Sequence, residues 1–159
     1  MLRLSKKSDY ALMSMKHLAV RPDASSSARE IAEAYDIPLE LLAKVLQRLV
    51  RARLLASVQG TRGGYRLARQ AAQISVADVI QAVDGPVTVT ACSDTDHKCG
   101  QYTKCSIRDP LAKIKNRILD ALTTVSVAEM AVEADAPEPV STHTVSRMTF
   151  VPPIGEERS

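Results

Sequence analysis

The hydrophobic period of this chain changes abruptly near residue 54, and few folds accommodate such a change. Residues 39–55, LELLAKVLQRLVRARLL, place Leu42, Val45, Leu46 and Leu49 at helical spacing, as in an amphipathic helix with one apolar face. Directly after them, LLASVQ and YRLA flank GTRGG, the pattern of two short strands around a glycine-rich tip. Upstream, Ser27 and Glu30 form a capping box that opens the short helical run AREIAEAY. YDIP then makes a turn, with Pro38 in the first turn of the next helix. Another helix fits residues 6–19, capped by Ser5, with Tyr10, Leu12, Met13 and Leu18 as apolar positions. Three helices and a trailing hairpin are the layout of a winged helix-turn-helix. The expected fold class is mainly α with a small β-hairpin, plus a long C-terminal dimerisation helix.

Beyond the hairpin, a second capping box, Ser75 to Asp78, opens SVADVIQAVDG, and Gly85 is its natural stop. Asp109 and Pro110 cap a helix running to about residue 123, with Leu111, Ile114, Ile118, Leu119 and Leu122 in one stripe. Packing against the first helix would hide that stripe, and so would pairing with the same helix of a second subunit. A further capping signal joins Ser126 to Glu129, and a Pro-, Thr- and acid-rich tail follows from about 134. The chain thus divides into a DNA-binding domain at 1–85, a loop at 86–108 and a dimerisation segment at 109–133. Residues 134–159 are expected to be a disordered tail.

With 45% apolar residues in 159, the chain as a whole is too hydrophobic for a disordered one. No run approaches the 18–20 apolar residues of a membrane span. The charged opening MLRLSKKSDYALM lacks the apolar core of a secretory leader, so a cytoplasmic protein is expected. Neither a phosphate loop nor a nucleophile–base set stands out, which argues against an enzyme or a small-molecule substrate.

Charge distribution points to a polyanionic partner. Residues 1–70 hold 13 Lys and Arg against 6 Asp and Glu, whereas residues 71–130 hold 6 against 7. A basic excess confined to the winged-helix half suits double-stranded DNA. On the reading helix, Glu40 can accept from a cytosine amino group and Lys44 can donate to guanine. Arg48, Arg51 and Arg53 suit phosphates. Gly60, Gly63 and Gly64 would let the wing tip turn and leave Arg62 free for a minor groove.

Cys92, Cys99 and Cys105 share one 14-residue window, CSDTDHKCGQYTKC. Three cysteines cannot all pair within one chain. The tight knuckle common in structural zinc sites is absent, whereas thiolates on a loop suit iron–sulfur ligation. From spacing alone, a cluster, zinc and a redox thiol pair all remain open. A four-coordinate site needs a ligand beyond the three thiolates; His97 or a carboxylate from elsewhere would serve.

The stretches LRLSKKSDYAL, REIAEAYDIPLELLAKVLQRLVRARLLASVQGTRGGYRLA and ISVADVIQAVDGP, together with the three cysteines, resemble the IscR/NsrR family. These are bacterial iron–sulfur winged-helix repressors, and the likeness covers nearly all of residues 1–130. Within the family, the likeness is greatest to regulators of the SUF iron–sulfur assembly operon. The resemblance implies a homodimeric repressor that binds a pseudo-palindromic operator and holds a 4Fe–4S or 2Fe–2S cluster. A nitric-oxide sensor of the same fold and a cluster-free regulator are the alternatives. By position, Cys92, Cys99 and Cys105 match the family's thiolate ligands. Arg108 occupies the place of the histidine that completes the IscR site, whereas Asp9 matches the aspartate that NsrR offers from the other subunit. That favours a 4Fe–4S site with Asp9 as its fourth ligand. Glu40, Leu41 and Lys44 match base-contacting positions and Arg62 the wing contact, while Ala43 replaces an acidic residue that discriminates operators.

Overall fold

The computed structural model describes residues 4–60, 63–88, 100 and 102–132. Six helices and one hairpin form it: α1 (Lys6–Ala19), α2 (Ala28–Ala34), α3 (Leu39–Arg51), β1 (Leu55–Val58), β2 (Gly64–Leu67), α4 (Val76–Asp84), α5 (Arg108–Thr124) and α6 (Val127–Val132). The expected mainly helical winged helix-turn-helix is present.

Local chemistry explains most boundaries. Ser5 caps α1 by accepting from the Ser8 amide. Ser27–Glu30, Ser75–Asp78 and Ser126–Glu129 each form a reciprocal capping box, satisfying two backbone donors that a helix start leaves open. Gly85 ends α4 at φ +86°, a conformation that costs other residues a steric penalty.

Four boundaries or faces depart from the sequence expectation. The third helix stops at Arg51 rather than running to residue 55, because Arg53 turns left-handed at φ +58°. The amides of Arg53 and Leu54 then bond back to the Val50 and Leu49 carbonyls, a Schellman ending built without glycine. Pro38 caps α3 from just outside it, accepting from the Leu41 and Leu42 amides. At α5 the cap is Ile107, not Asp109 or Pro110; Asp109 instead pairs with Arg108 at 2.8 Å. On α1 the buried face is Ser8, Ala11, Ser14, Met15 and Leu18, while Met13 is exposed.

The core lies where α1, α2, α3 and α4 converge, with Met15, Leu18, Ile31, Leu42, Leu46, Leu49 and Val79 sealed from solvent. The antiparallel hairpin pairs Leu55 with Leu67 and Ser57 with Tyr65. Tyr65 also exchanges two backbone hydrogen bonds with Ser26 at 2.8 and 3.1 Å, tying the wing to the entry of α2. This approach is what Gly64 serves: a Cβ there would lie 2.5 Å from the Ser26 carbonyl oxygen. Helix α6 returns to the core, with Val127 fully buried and Ser126 bridging Ser75.

Candidate nucleic-acid interface and cysteine segment

Two capped helices and a short turn set the reading surface. Ile37, buried behind left-handed Asp36, closes α2 by donating to the Ala32 carbonyl and directs the chain into α3. The buried stripe Leu42, Val45, Leu46 and Leu49 fixes the rotation of α3. Glu40, Lys44 and Gln47 consequently face solvent, and Leu41 is half-buried. Arg51 is exposed in the last turn. It lines a shallow groove with Gln47, Val50, Ser57 and Tyr65, between the reading helix and the wing. Arg62, which the sequence puts between the two strands, lies outside the described residues, whereas Gly63 closes back on Gly60 with a 2.9 Å backbone bond.

Arg48 takes a different place from its neighbours. Its guanidinium donates to the Val83 carbonyl in the last turn of α4, so this cation serves an intramolecular contact. Beside it, Asp84 Oδ2 accepts from Ser5 Oγ at 2.5 Å and Ser8 Oγ at 2.6 Å. Desolvation pushes the Asp84 carboxyl up, but the two hydroxyls and the charges of Lys7 and Arg48 outweigh it and hold the pKa below the usual aspartate value.

A second polar junction was not visible in the sequence. His17 Nε2 lies 3.2 Å from Ser26 Oγ, and Tyr35 Oη lies 3.4 Å from His17 Nδ1. The Tyr35 ring stands edge-on at 5.7 Å. Burial and then Arg21 lower the His17 pKa, against a smaller upward pull from Glu30. The junction joins α1 to both ends of α2 through residues 9 and 18 positions from His17, too far apart to form a motif.

Of the cysteine segment, Cys92, Cys99 and His97 lie outside the described residues. Cys105 is half-buried with a free thiol, following a 3-10 turn at Tyr102–Lys104 and three residues before α5. Asp9 is exposed in the first turn of α1, and its carboxylate has no partner among the described residues. Arg108 is engaged with Asp109. Among the described residues no group of three metal-ligating side chains converges. The donor chemistry still fits a cluster: three cysteines in one segment, and one exposed carboxylate without a partner among the described residues. No helix among the described residues is long and apolar enough to cross a membrane.

Comparison with known proteins agrees with this architecture. Residues 4–133 match the Rrf2 family, described as an iron-dependent transcriptional regulator. The chain is 35% identical over 130 residues to the putative HTH-type transcriptional regulator BadM of Rhodopseudomonas palustris, covering 81% of each protein. It is 33% identical to the HTH-type transcriptional regulator IscR of Vibrio vulnificus, covering 81% of this chain and 77% of that one. Among solved structures, T. potens IscR superposes with a TM-score of 0.66 at 28% identity, over 84% of this chain and 89% of that one. CymR, the cysteine regulator of B. subtilis, shares the fold with a TM-score of 0.71 at 24% identity, over 85% and 100%. Exposed polar residues on a capped reading helix, a basic N-terminal half and a family match over 130 residues converge: the chain belongs to the Rrf2 family and is a DNA-binding transcriptional regulator, not an enzyme.

Proposed function

We propose that this regulator is a cytoplasmic homodimeric repressor of iron–sulfur assembly genes, such as a SUF operon, controlled by its own cluster. One observation carries most weight: α5 buries none of its residues within the chain although it bears an apolar stripe. Leu111, Ile118, Leu119 and Leu122 stay half-buried and Ile114 is 47% exposed. The economical cover is α5 of a second copy, paired about a two-fold axis. A two-fold dimer reads a pseudo-palindromic operator, with one α3 in each half-site. Glu40, Leu41 and Lys44 then meet base edges, while Arg51 and the wing-tip Arg62 meet phosphate and minor groove.

Cys92, Cys99 and Cys105 would hold the cluster with Asp9 of the second protomer, favouring a 4Fe–4S site over a 2Fe–2S one. Such a cluster supplies a centre whose occupancy responds to iron supply and to oxidants. Cys105 anchors one end of that site beside α5. Asp9 places the other end on the turn that begins the DNA-binding domain.

Anaerobically purified protein should contain iron and sulfide. Cluster-loaded and iron-free forms should differ in operator affinity by about five-fold or more, the usual span of coupling between two sites. Equal affinities would overturn the sensing role. Unchanged spectra and cluster lifetime in Asp9→Ala would clear Asp9 as a ligand.

A further inference from the structure

The last turn of α4 joins three elements that are far apart in the sequence. Asp84 accepts both the Ser5 hydroxyl that caps α1 and the Ser8 hydroxyl, and Ser8 is completely buried. One residue earlier, the Val83 carbonyl takes the Arg48 guanidinium from α3. A helix's last carbonyls carry the negative end of its dipole, so a cation is favoured there. Neither contact is what starts or stops its helix. Gly85 already stops α4 through its bond to the Gln81 carbonyl, and Ser5 caps α1 through the Ser8 amide.

Position gives these contacts their consequence. Arg48 lies four residues after Lys44, so the two share a helix face. Whatever moves the end of α4 therefore acts on the face of α3 that carries Lys44. The turn held by Asp84 also carries Asp9, and the chain leaving α4 after Gly85 is the one that runs to Cys92.

We infer that Asp84 and Arg48 are positioning residues for DNA recognition, fixing the first turn of α1 and the reading helix to one end of α4. Arg48 is thus a strut within the protein rather than a phosphate contact. The link onward to the cysteine segment rests on the function proposed above; the strut itself does not.

Operator binding by the full-length protein, measured across a salt titration, tests this. Arg48→Met and Asp84→Ala should each weaken binding about five-fold or more, leaving the slope of log affinity against log salt unchanged. The double variant should lose less than the product of the two single losses, because both contacts act through the last turn of α4. Asp84→Asn keeps one acceptor for the buried Ser8 hydroxyl, so it should be more stable than the alanine variant and bind with intermediate affinity. A slope reduced by about one in Arg48→Met would mark a phosphate contact and overturn the inference. Unchanged affinity in Asp84→Asn, or effects that multiply in the double variant, would overturn it too. Iron and sulfide counts on the same preparations keep the two readings apart. Protein without a cluster would sink the sensing function and leave this mutant cycle valid.

Discussion

Helices α3 and α5 both carry an apolar stripe, yet they use it in opposite ways. In α3, Leu42, Val45, Leu46 and Leu49 are at most 1% exposed, held by α1, α2 and α4 of the same chain. In α5, which is four residues longer, no residue is buried. The same kind of pattern therefore serves stability in one region and, in the function proposed, association in the other. Reading a stripe from sequence tells that it will be covered, not by what.

The sharpest test contrasts one leucine with one isoleucine. Leu46→Ala removes a sealed core side chain and should cost about 2–5 kcal/mol in chemical denaturation, at any protein concentration. Ile118→Ala should instead weaken self-association, so that its loss of stability is absent in dilute protein and grows as protein concentration rises. Equal, concentration-independent losses at both sites would erase the distinction between the helices.

A smaller effect probes how the reading half is closed. Gly64→Ala drives a methyl group against the Ser26 backbone, which cannot yield as a side-chain tip can. A thermal melt should show a loss of about 1–3 kcal/mol. A variant as stable as the parent would mean that the wing is not fixed to the entry of α2.

The smallest effect is a pH dependence expected in the reading half. His17 has its pKa lowered from 6.5 in the fold, so protonation favours the unfolded chain. Stability should be full above pH 6.5 and should decline as the pH falls from there through the lowered folded value. His17→Gln should flatten the denaturation midpoint across that window. A parent protein already flat there would contradict the burial of the ring.

These features differ in how far they could be read from the chain alone. Capping boxes at Ser27, Ser75 and Ser126 were legible because donor and acceptor lie three residues apart, within one helical turn. The end of α3 was not, since left-handed Arg53 replaces the glycine that usually announces such a stop. Nor was the Asp84 junction, whose serine partners lie 76 and 79 residues away. Glu40 and Lys44 emerged on the exposed side because the buried stripe of α3 fixes its rotation, a purely periodic signal. Arg48 shares their face but is drawn onto α4 by a tertiary contact that periodicity cannot encode. Cys92, Cys99 and Arg62 remain where sequence and resemblance put them, outside the described residues.

The return of α6 changes what counts as the smallest self-sufficient piece of this protein. Val127 sits fully buried in the same core as Ile74 and Val79, and its amide donates to the Ile74 carbonyl at 2.8 Å. Val125 likewise accepts from the Val76 amide. A fragment ending at Gly85 would keep every residue proposed to face DNA and still open a hole in the core beside α1. The DNA-binding unit is thus discontinuous along the chain, with the cysteine segment and α5 spliced into it as an insert between two anchored ends.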